Sequence, residues 1–311
     1  MAAEHQAPSI LGFPHRPEWG PAAHRKALAG HLRRCRDHAG LAPRQAARCI
    51  DTSESTISRM ENGQATMKPA EVERLLDLYG VREPAERQRI AALVHEAAKP
   101  EAWQAQGQSA PAALRPLLAM EPAARRIISY EPQLVPGWLQ TEEYAKIIVR
   151  AVHPTWSQQQ VAERVALRTR RIEMLRRTSS PPVLLAVMDS EVFRRKVGSP
   201  GTMYRQIRHL LTLHEELRYQ LHLQIASLSV GAAGAIGHPI VHMRFFASEY
   251  LPDMVYLEQY ESAIYREKPS ESERYQAILN NLCGVASPPE QTRSLLEEGL
   301  AAWAAQAQEP T

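Results

Sequence analysis

Thr52–Gly63, TSESTISRMENG, carries a complete set of helix signals. Ser53 is a preferred N-cap, its hydroxyl able to accept from an unpaired amide of the first turn, and Asn62-Gly63 supplies a left-handed stop. The spacing predicts a helix of about ten residues between them. Ile57 and Met60 form its apolar pair, while Glu54, Ser55, Ser58, Arg59 and Asn62 recur at the i, i+1, i+4, i+5, i+8 spacing of one opposite face. A solvated face normally carries long Lys and Glu side chains. This one offers hydroxyls, a carboxylate, an amide and one guanidinium, groups that reach base edges and phosphates in a major groove without crowding. Just upstream, Leu41–Ile50, LAPRQAARCI, reads as a short helix with Ala46, Ala47 and Ile50 inward, followed by a tight Asp51-Thr52 connection. Two short helices joined in this way form a helix-turn-helix.

The run Gln45–Gly63, QAARCIDTSESTISRMENG, resembles the helix-turn-helix of the XRE, or Cro/C1 (lambda-repressor-like), regulators, with the S-x-S-x-I-S-x-x-E-N-G core intact. The resemblance implies that the helix from Ser53 to Asn62 reads DNA, with Glu54, Ser55, Ser58 and Arg59 facing bases and Asn62 near phosphate. That family often has Gln as the third residue of the preceding segment, bonded to the DNA backbone. Here the residue is Pro43, so Arg44 or Gln45 would supply the contact. Ser53 and, past the turn, Lys68 complete the expected DNA-binding set.

Charge is distributed unevenly along the 311 residues. Ala23–Gly63 holds eight basic residues against four acidic, whereas residues 249–298 hold ten acidic against four basic. Opposite signs at the two ends fit a polyanion-binding head and a body that does not bind it. Cys35, Cys49 and Cys283 show no paired spacing and read as buried thiols in a reducing cytosol. With no signal-like start and no apolar run of about 18 residues, the expected location is the cytoplasm, nucleoid-associated when DNA-bound, with no membrane partner.

Residues 1–22, with four prolines and no period, are expected to be a flexible arm. A helix over about 23–39 follows, with Leu28, Leu32, Cys35 and Ala39 as its stripe and Gly40 as its stop. His24, His31 and His38 repeat at seven-residue spacing, about 10 Å apart along a helix and too far to share one ion; they read as a partly exposed face. Helices over Pro69–Tyr79 and about 83–98 complete a five-helix DNA-binding domain, 23–98. Residues 99–122, rich in Pro and Gln, read as a linker.

The remainder, 123–304, is expected to be an α+β domain with a mostly antiparallel sheet and flanking helices, followed by a tail over 305–311. Strands are expected near Ile127–Tyr130 and over Val183–Ser190, Leu221–Ser229, Ile240–Ala247 and Met254–Gln259. Helices are expected after Thr141 and over 157–177, 202–216, 270–285 and 289–304. The segments PGWLQTEEYA, RVALRTRR at Arg164–Arg171 and VGSPGTMYRQIRHLL at Val197–Leu211 resemble the carboxy-terminal domain of actinobacterial WhiJ-like, or antitoxin-like, regulators. The arginines of 157–177 read as cover for a helix core face, with DNA contact as the alternative.

No G-x-S-x-G elbow, phosphate-cradling glycine loop, H-E-x-x-H or ligand-spaced Cys pair is present. Gly231, Gly234 and Gly237 read as an inter-strand loop, His238 and His242 as loop and strand residues, and Asp189 with Glu191 as one strand face. The resulting expectation is a sequence-specific DNA-binding transcriptional regulator that binds a double-stranded operator, works as a homodimer, and has neither enzymatic activity nor a cofactor or metal. Its carboxy-terminal domain would sense a ligand or a partner protein through Trp138, Tyr256, Tyr260 and Tyr265. The alternative is an antitoxin-like protein whose main role is to bind a small co-encoded partner protein.

Overall fold

The computed structural model describes residues 8–14, 16–101, 104, 110–234, 236–248, 250–259 and 262–308. They form two compact units. The first draws on the described residues of Met1–Gln106 with Pro116–Ala123 and Phe245–Pro252; the second draws on the rest.

In the first unit, α1 (Gly20–His38), α2 (Pro43–Cys49), α3 (Glu54–Glu61), α4 (Pro69–Tyr79) and α5 (Pro84–Ala97) close around one apolar core. Their inward stripes are the ones the periodicity picks out: Leu28 and Leu32 on α1, Ile57 and Met60 on α3, Val72, Leu75, Leu76 and Tyr79 on α4, and Ile90, Leu93, Val94 and Ala97 on α5 are all buried. The stops are also as expected. Gly40 is left-handed at φ 67, and the Leu41 amide donates to the Arg36 carbonyl at 3.1 Å.

Within α1 the arginine at position 36 faces inward and forms a two-point bond to Glu61 at the end of α3, Nε to Oε1 at 2.6 Å and Nη2 to Oε2 at 2.9 Å. Its Nη1 donates to the Leu41 carbonyl at 2.7 Å. The two side chains keep only 7% and 9% of their exposure, so the pair clamps the first helix to the third in a poorly solvated setting.

Of the three histidines of α1 expected on a partly exposed face, only His38 is exposed. His24 and His31 are fully buried, because the stripe they share with Leu28 and Leu32 is the side that meets the core. Burial, then the Arg34 charge, pushes His31 down to about 4. It is therefore neutral at pH 7, with Nε2 3.1 Å from Glu86 Oε1 and 3.3 Å from Cys35 Sγ. Nδ1 has no hydrogen-bond partner, which favours the tautomer whose Nε2–H donates to Glu86. Of the three cysteines, only Cys35 is buried; Cys49 and Cys283 are partly exposed.

The expected flexible arm is packed from residue 8 onward, residues 1–7 and 15 lying outside the described set. Ile10, Phe13 and Trp19 are fully buried. The Ser9 hydroxyl and the Ile10 amide donate to Glu86 at 2.8 and 2.6 Å. Aperiodic sequence still packs when it carries large apolar side chains, each worth about 1.5–3 kcal/mol when fully buried. A late segment of the chain covers this arm: Tyr250 meets Phe13 edge-on at 5.4 Å, and Phe246 stacks on Trp19 at 6.0 Å. The expected linker is also partly structured, since α6 (Arg115–Met120) buries Leu117, Leu118 and Met120.

The second unit is built on a six-stranded sheet of β1 (Ala124–Glu131), β2 (Val183–Asp189), β3 (Leu221–Ala226), β4 (Ile240–Phe245), β5 (Met254–Glu258) and β6 (Ala263–Arg266), in the order β3-β2-β1-β4-β5-β6. Expected as mostly antiparallel, the sheet is mixed: β1 pairs β2 and β2 pairs β3 in parallel, whereas β4-β5 and β5-β6 are antiparallel. Parallel neighbours require long crossovers. The helical connections supply them: α7 (Glu142–Val152) and α8 (Gln158–Thr169) after β1, and α9 (Glu191–Arg194) and α10 (Pro200–Glu216) after β2. The expected helix over 157–177 continues beyond α8 as a 3-10 turn, Arg170–Arg176. Two further helices, α11 (Pro269–Val285) and α12 (Pro289–Gln308), end the chain. Ile128, Tyr130, Val187, Val255 and Leu257 of the sheet form a core with Leu279 and Leu282 of α11. Among the described residues, no helix is long and apolar enough to cross a membrane.

Breaking the Arg36–Glu61 clamp strands a charge in the core. We expect Arg36→Ala to cost the first unit about 3–5 kcal/mol, read as a lower denaturant midpoint of the full chain. Replacing both partners by apolar residues of similar volume should recover much of that loss.

Candidate nucleic-acid interface

The helix pair α2–α3 presents the expected residues on one exposed surface. Ser53 caps α3: its hydroxyl accepts from the Thr56 amide at 3.2 Å and also lies 2.8 Å from the Ser55 hydroxyl. Ile57 and Met60 anchor the helix, which leaves Glu54, Ser55, Ser58 and Arg59 exposed. Arg44 and Gln45 are exposed on α2. The Gln45 side chain is committed to structure in part, because its Oε1 accepts from the Ala42 amide at 2.8 Å and so caps α2. That leaves its amide N–H groups for a ligand. Arg44 has no such obligation and is the better replacement for the missing glutamine at Pro43.

Two expected residues have local roles. Asn62 Nδ2 donates back to the Ser58 carbonyl at 2.8 Å, so its side chain finishes the helix. Lys68 is 82% exposed on its side chain and lies 3.6 Å from Glu71, an exposed pair weak enough to yield to a phosphate. Arg48, outside the set expected from the sequence, is a further candidate. It lies four residues after Arg44, on the same side of α2, and is exposed. Among the described residues Arg44, Arg48 and Arg59 take part in no ion pair, so their charge is available to DNA. By contrast Arg25 and Arg36 of the basic head are structural: Arg25 Nε donates to the Gly63 carbonyl at 3.1 Å, holding the turn after α3.

The connection between the two helices is made by Asp51 at φ 54, a left-handed conformation that Asp tolerates better than most residues. Its carboxylate accepts from Arg74 Nη1 of α4 at 3.1 Å. Gly63, which ends the reading helix, is left-handed at φ 70, and a Cβ there would lie 3.2 Å from the Lys26 Cα.

A helix-turn-helix domain model matches residues 27–90, which include this surface. A second model, described as a domain of unknown function (DUF5753), matches residues 114–298, more than half of the chain. The chain belongs to the DUF5753 family. No curated protein and no solved structure matches it. The match to a helix-turn-helix model makes the amino-terminal unit a DNA-binding domain of general helix-turn-helix type.

In the DUF5753 unit, the residues expected to form a partner surface are largely internal. Trp138 and Tyr256 are 2% and 5% exposed. Arg171 covers the Trp138 ring at 4.1 Å. Tyr256 pairs across the strands with Tyr265, their rings 5.4 Å apart, and the Tyr265 hydroxyl donates to the Ala113 carbonyl at 2.6 Å. The short edge strand β6, absent from the sequence expectation, brings these two rings together across the strands. Tyr260 lies outside the described residues. Asp189 and Glu191 do not share a strand face, since β2 ends at Asp189 and Glu191 opens α9; Asp189 accepts from the Tyr130 hydroxyl at 3.1 Å. His242 is fully buried on β4 while His238 is exposed, so the two do not form a pair. No group of three or more His, Cys, Asp or Glu among the described residues could hold a metal ion.

Gly63 and Gly80 are both left-handed, but nothing lies within 4 Å of a Cβ at Gly80. Each change to Ala should cost about 1–2 kcal/mol for the backbone alone. Gly63→Ala should cost measurably more and weaken DNA binding as well, whereas Gly80→Ala should leave DNA affinity near normal. Equal effects of the two changes on melting and binding would contradict the assignment.

Proposed function

We propose that this protein is a sequence-specific transcriptional regulator of the XRE, or Cro/C1, type, reading an operator through α3 and responding to a signal received by its DUF5753 unit. The observation that carries the reading is the short polar face of Glu54, Ser55, Ser58 and Arg59, held by a capped and clamped helix beside the unpaired Arg44 and Arg48. Glu54, at the start of α3, suits a cytosine amino group, and Arg59 a guanine edge or a phosphate. A single head of this size makes few base contacts, so the protein is proposed to act as a homodimer on two half-sites about one DNA turn apart. The carboxy-terminal unit is proposed to act as a sensor without catalysis. With Trp138 and Tyr256 internal, sensing of a small ligand is favoured over capture of a partner protein on that aromatic surface.

The test is a footprint of the full chain on its own upstream region, followed by affinity measurements. One good base contact is worth about 1–3 kcal/mol, so Arg59→Ala is expected to weaken operator binding roughly 5- to 150-fold with an unchanged melting temperature. Normal affinity in that variant would remove α3 from the reading role. Protection of one half-site by a sedimenting monomer would remove the dimer.

A further inference from the structure

Between the last paired residues of β4 and β5, Met243 and Met254, runs the connection 244–253. Hairpin loops usually need about two to five residues, so this one is longer than closing the strand pair demands. Its neck is drawn together by Arg244 Nε, 3.2 Å from Asp253 Oδ2. Its tip is a tight turn in which the Tyr250 and Leu251 amides donate to the Ala247 carbonyl at 2.9 and 2.8 Å. Phe245, Ala247 and Leu251 are buried. The strap Phe245–Pro252 belongs to the first unit, whereas Arg244 and Asp253, on either side of it in the chain, belong to the second.

Within the first unit the strap holds two things. One is the arm. The Tyr250 hydroxyl donates to the Ser9 carbonyl at 3.1 Å, the Tyr250 ring meets Phe13 edge-on at 5.4 Å, and Phe246 stacks on Trp19 at 6.0 Å. Helix α5 holds the same arm through Glu86, which accepts from the Ser9 hydroxyl and the Ile10 amide, and through Arg89, which donates to the Phe13 carbonyl. The other is α1. Arg34 covers the Tyr250 ring at 5.3 Å, and a Cβ at Gly30 would lie 3.8 Å from the Tyr250 carbonyl oxygen. Gly30 and Arg34, one turn apart, share a face of α1; Arg36, two residues further on, points the opposite way, to Glu61 of α3. Helix α1 is thus gripped on one face by the strap and on the other by the reading helix, whose residues Glu54, Ser55, Ser58 and Arg59 stay exposed.

Edge-on and stacked ring contacts have narrow preferred geometries. A joint made of two of them and one hydroxyl bond has discrete docked and released arrangements, the kind of element through which coupling is carried. We propose that the strap is a conformational coupling device: docked on Phe13, Trp19 and Arg34 it steadies α1 and favours DNA reading by α3, and a shift of β4 against β5, the two strands that form its ends, releases it. The strap gives a physical route to the response assigned above to the DUF5753 unit and rests on that reading for its purpose.

Coupling free energy is reciprocal, so it is measurable from the head with neither DNA nor ligand. Hydrogen exchange of the full chain compares wild type with Phe13→Ala, which removes the ring that Tyr250 meets. Exchange is expected to quicken roughly fivefold or more over Ile240–Arg244 and Met254–Leu257 as well as in the arm, while Val183–Asp189 and Leu221–Ala226 keep their wild-type rates. A change confined to the arm, or one spread evenly over all these strands, overturns the proposal. The second measurement is affinity for the duplex found by footprinting. The double variant Phe246→Ala, Tyr250→Ala is expected to bind it roughly 5- to 150-fold more weakly, with base preferences unchanged because the face of α3 is intact. Should an Ala variant fail to fold, Tyr250→Phe, which removes only the hydroxyl bonded to Ser9, is read by the same criteria. Normal affinity in the strap variant overturns the device and leaves the regulator reading standing. If the exchange pattern appears but no duplex is bound specifically, the device stands and the regulator reading falls.

Discussion

The bond between Arg36 and Glu61 is the constraint on which the DNA-binding unit depends. It joins the end of the sequence signal for the third helix to a residue of α1 that the sequence offers as one more basic side chain. At 2.6 and 2.9 Å, with a third bond to the Leu41 carbonyl, each nitrogen of the guanidinium has a partner. A buried ion pair repays its desolvation only under that condition. Its consequence is positional: α3, an eight-residue helix too short to be stable alone, is fixed at its C-terminal end by Glu61 and at its core face by Ile57 and Met60. The polar residues between those anchors are thereby held at a set orientation, which direct readout of base edges demands.

The clamp also changes how the charge of the head should be counted. Arg25 holds the Gly63 carbonyl and Arg36 is internal. On the α2–α3 pair Arg44, Arg48 and Arg59 are exposed, and Lys68 past the turn is only loosely paired. Net charge over a segment indicates that a polyanion could bind. Only the partners of each side chain indicate where.

Much of this was legible in the sequence. Ser53, Gly63, Gly40 and Gly80 declare helix ends through local chemistry, and the stripes of α1, α4 and α5 declare their core faces through period alone, so the five helices and the exposed polar face of α3 follow from residues near one another. Five of the six strands were likewise visible as short apolar runs. Strand direction was expected to be mostly antiparallel, although the continuous apolar run of β2, Val183–Met188, is what a strand buried on both faces produces. Tertiary structure alone decided the rest. Whether Ile10, Phe13 and Trp19 pack depends on Phe246 and Tyr250, more than two hundred residues away. Whether Trp138 and Tyr256 are surface or core depends on Arg171 and on the register of β5 with β6. Whether an arginine stays open to solvent, as Arg44 does, or closes a core, as Arg36 does, depends on which carboxylate lies within reach, and that distance is set by the fold and not by the spacing of residues along the chain.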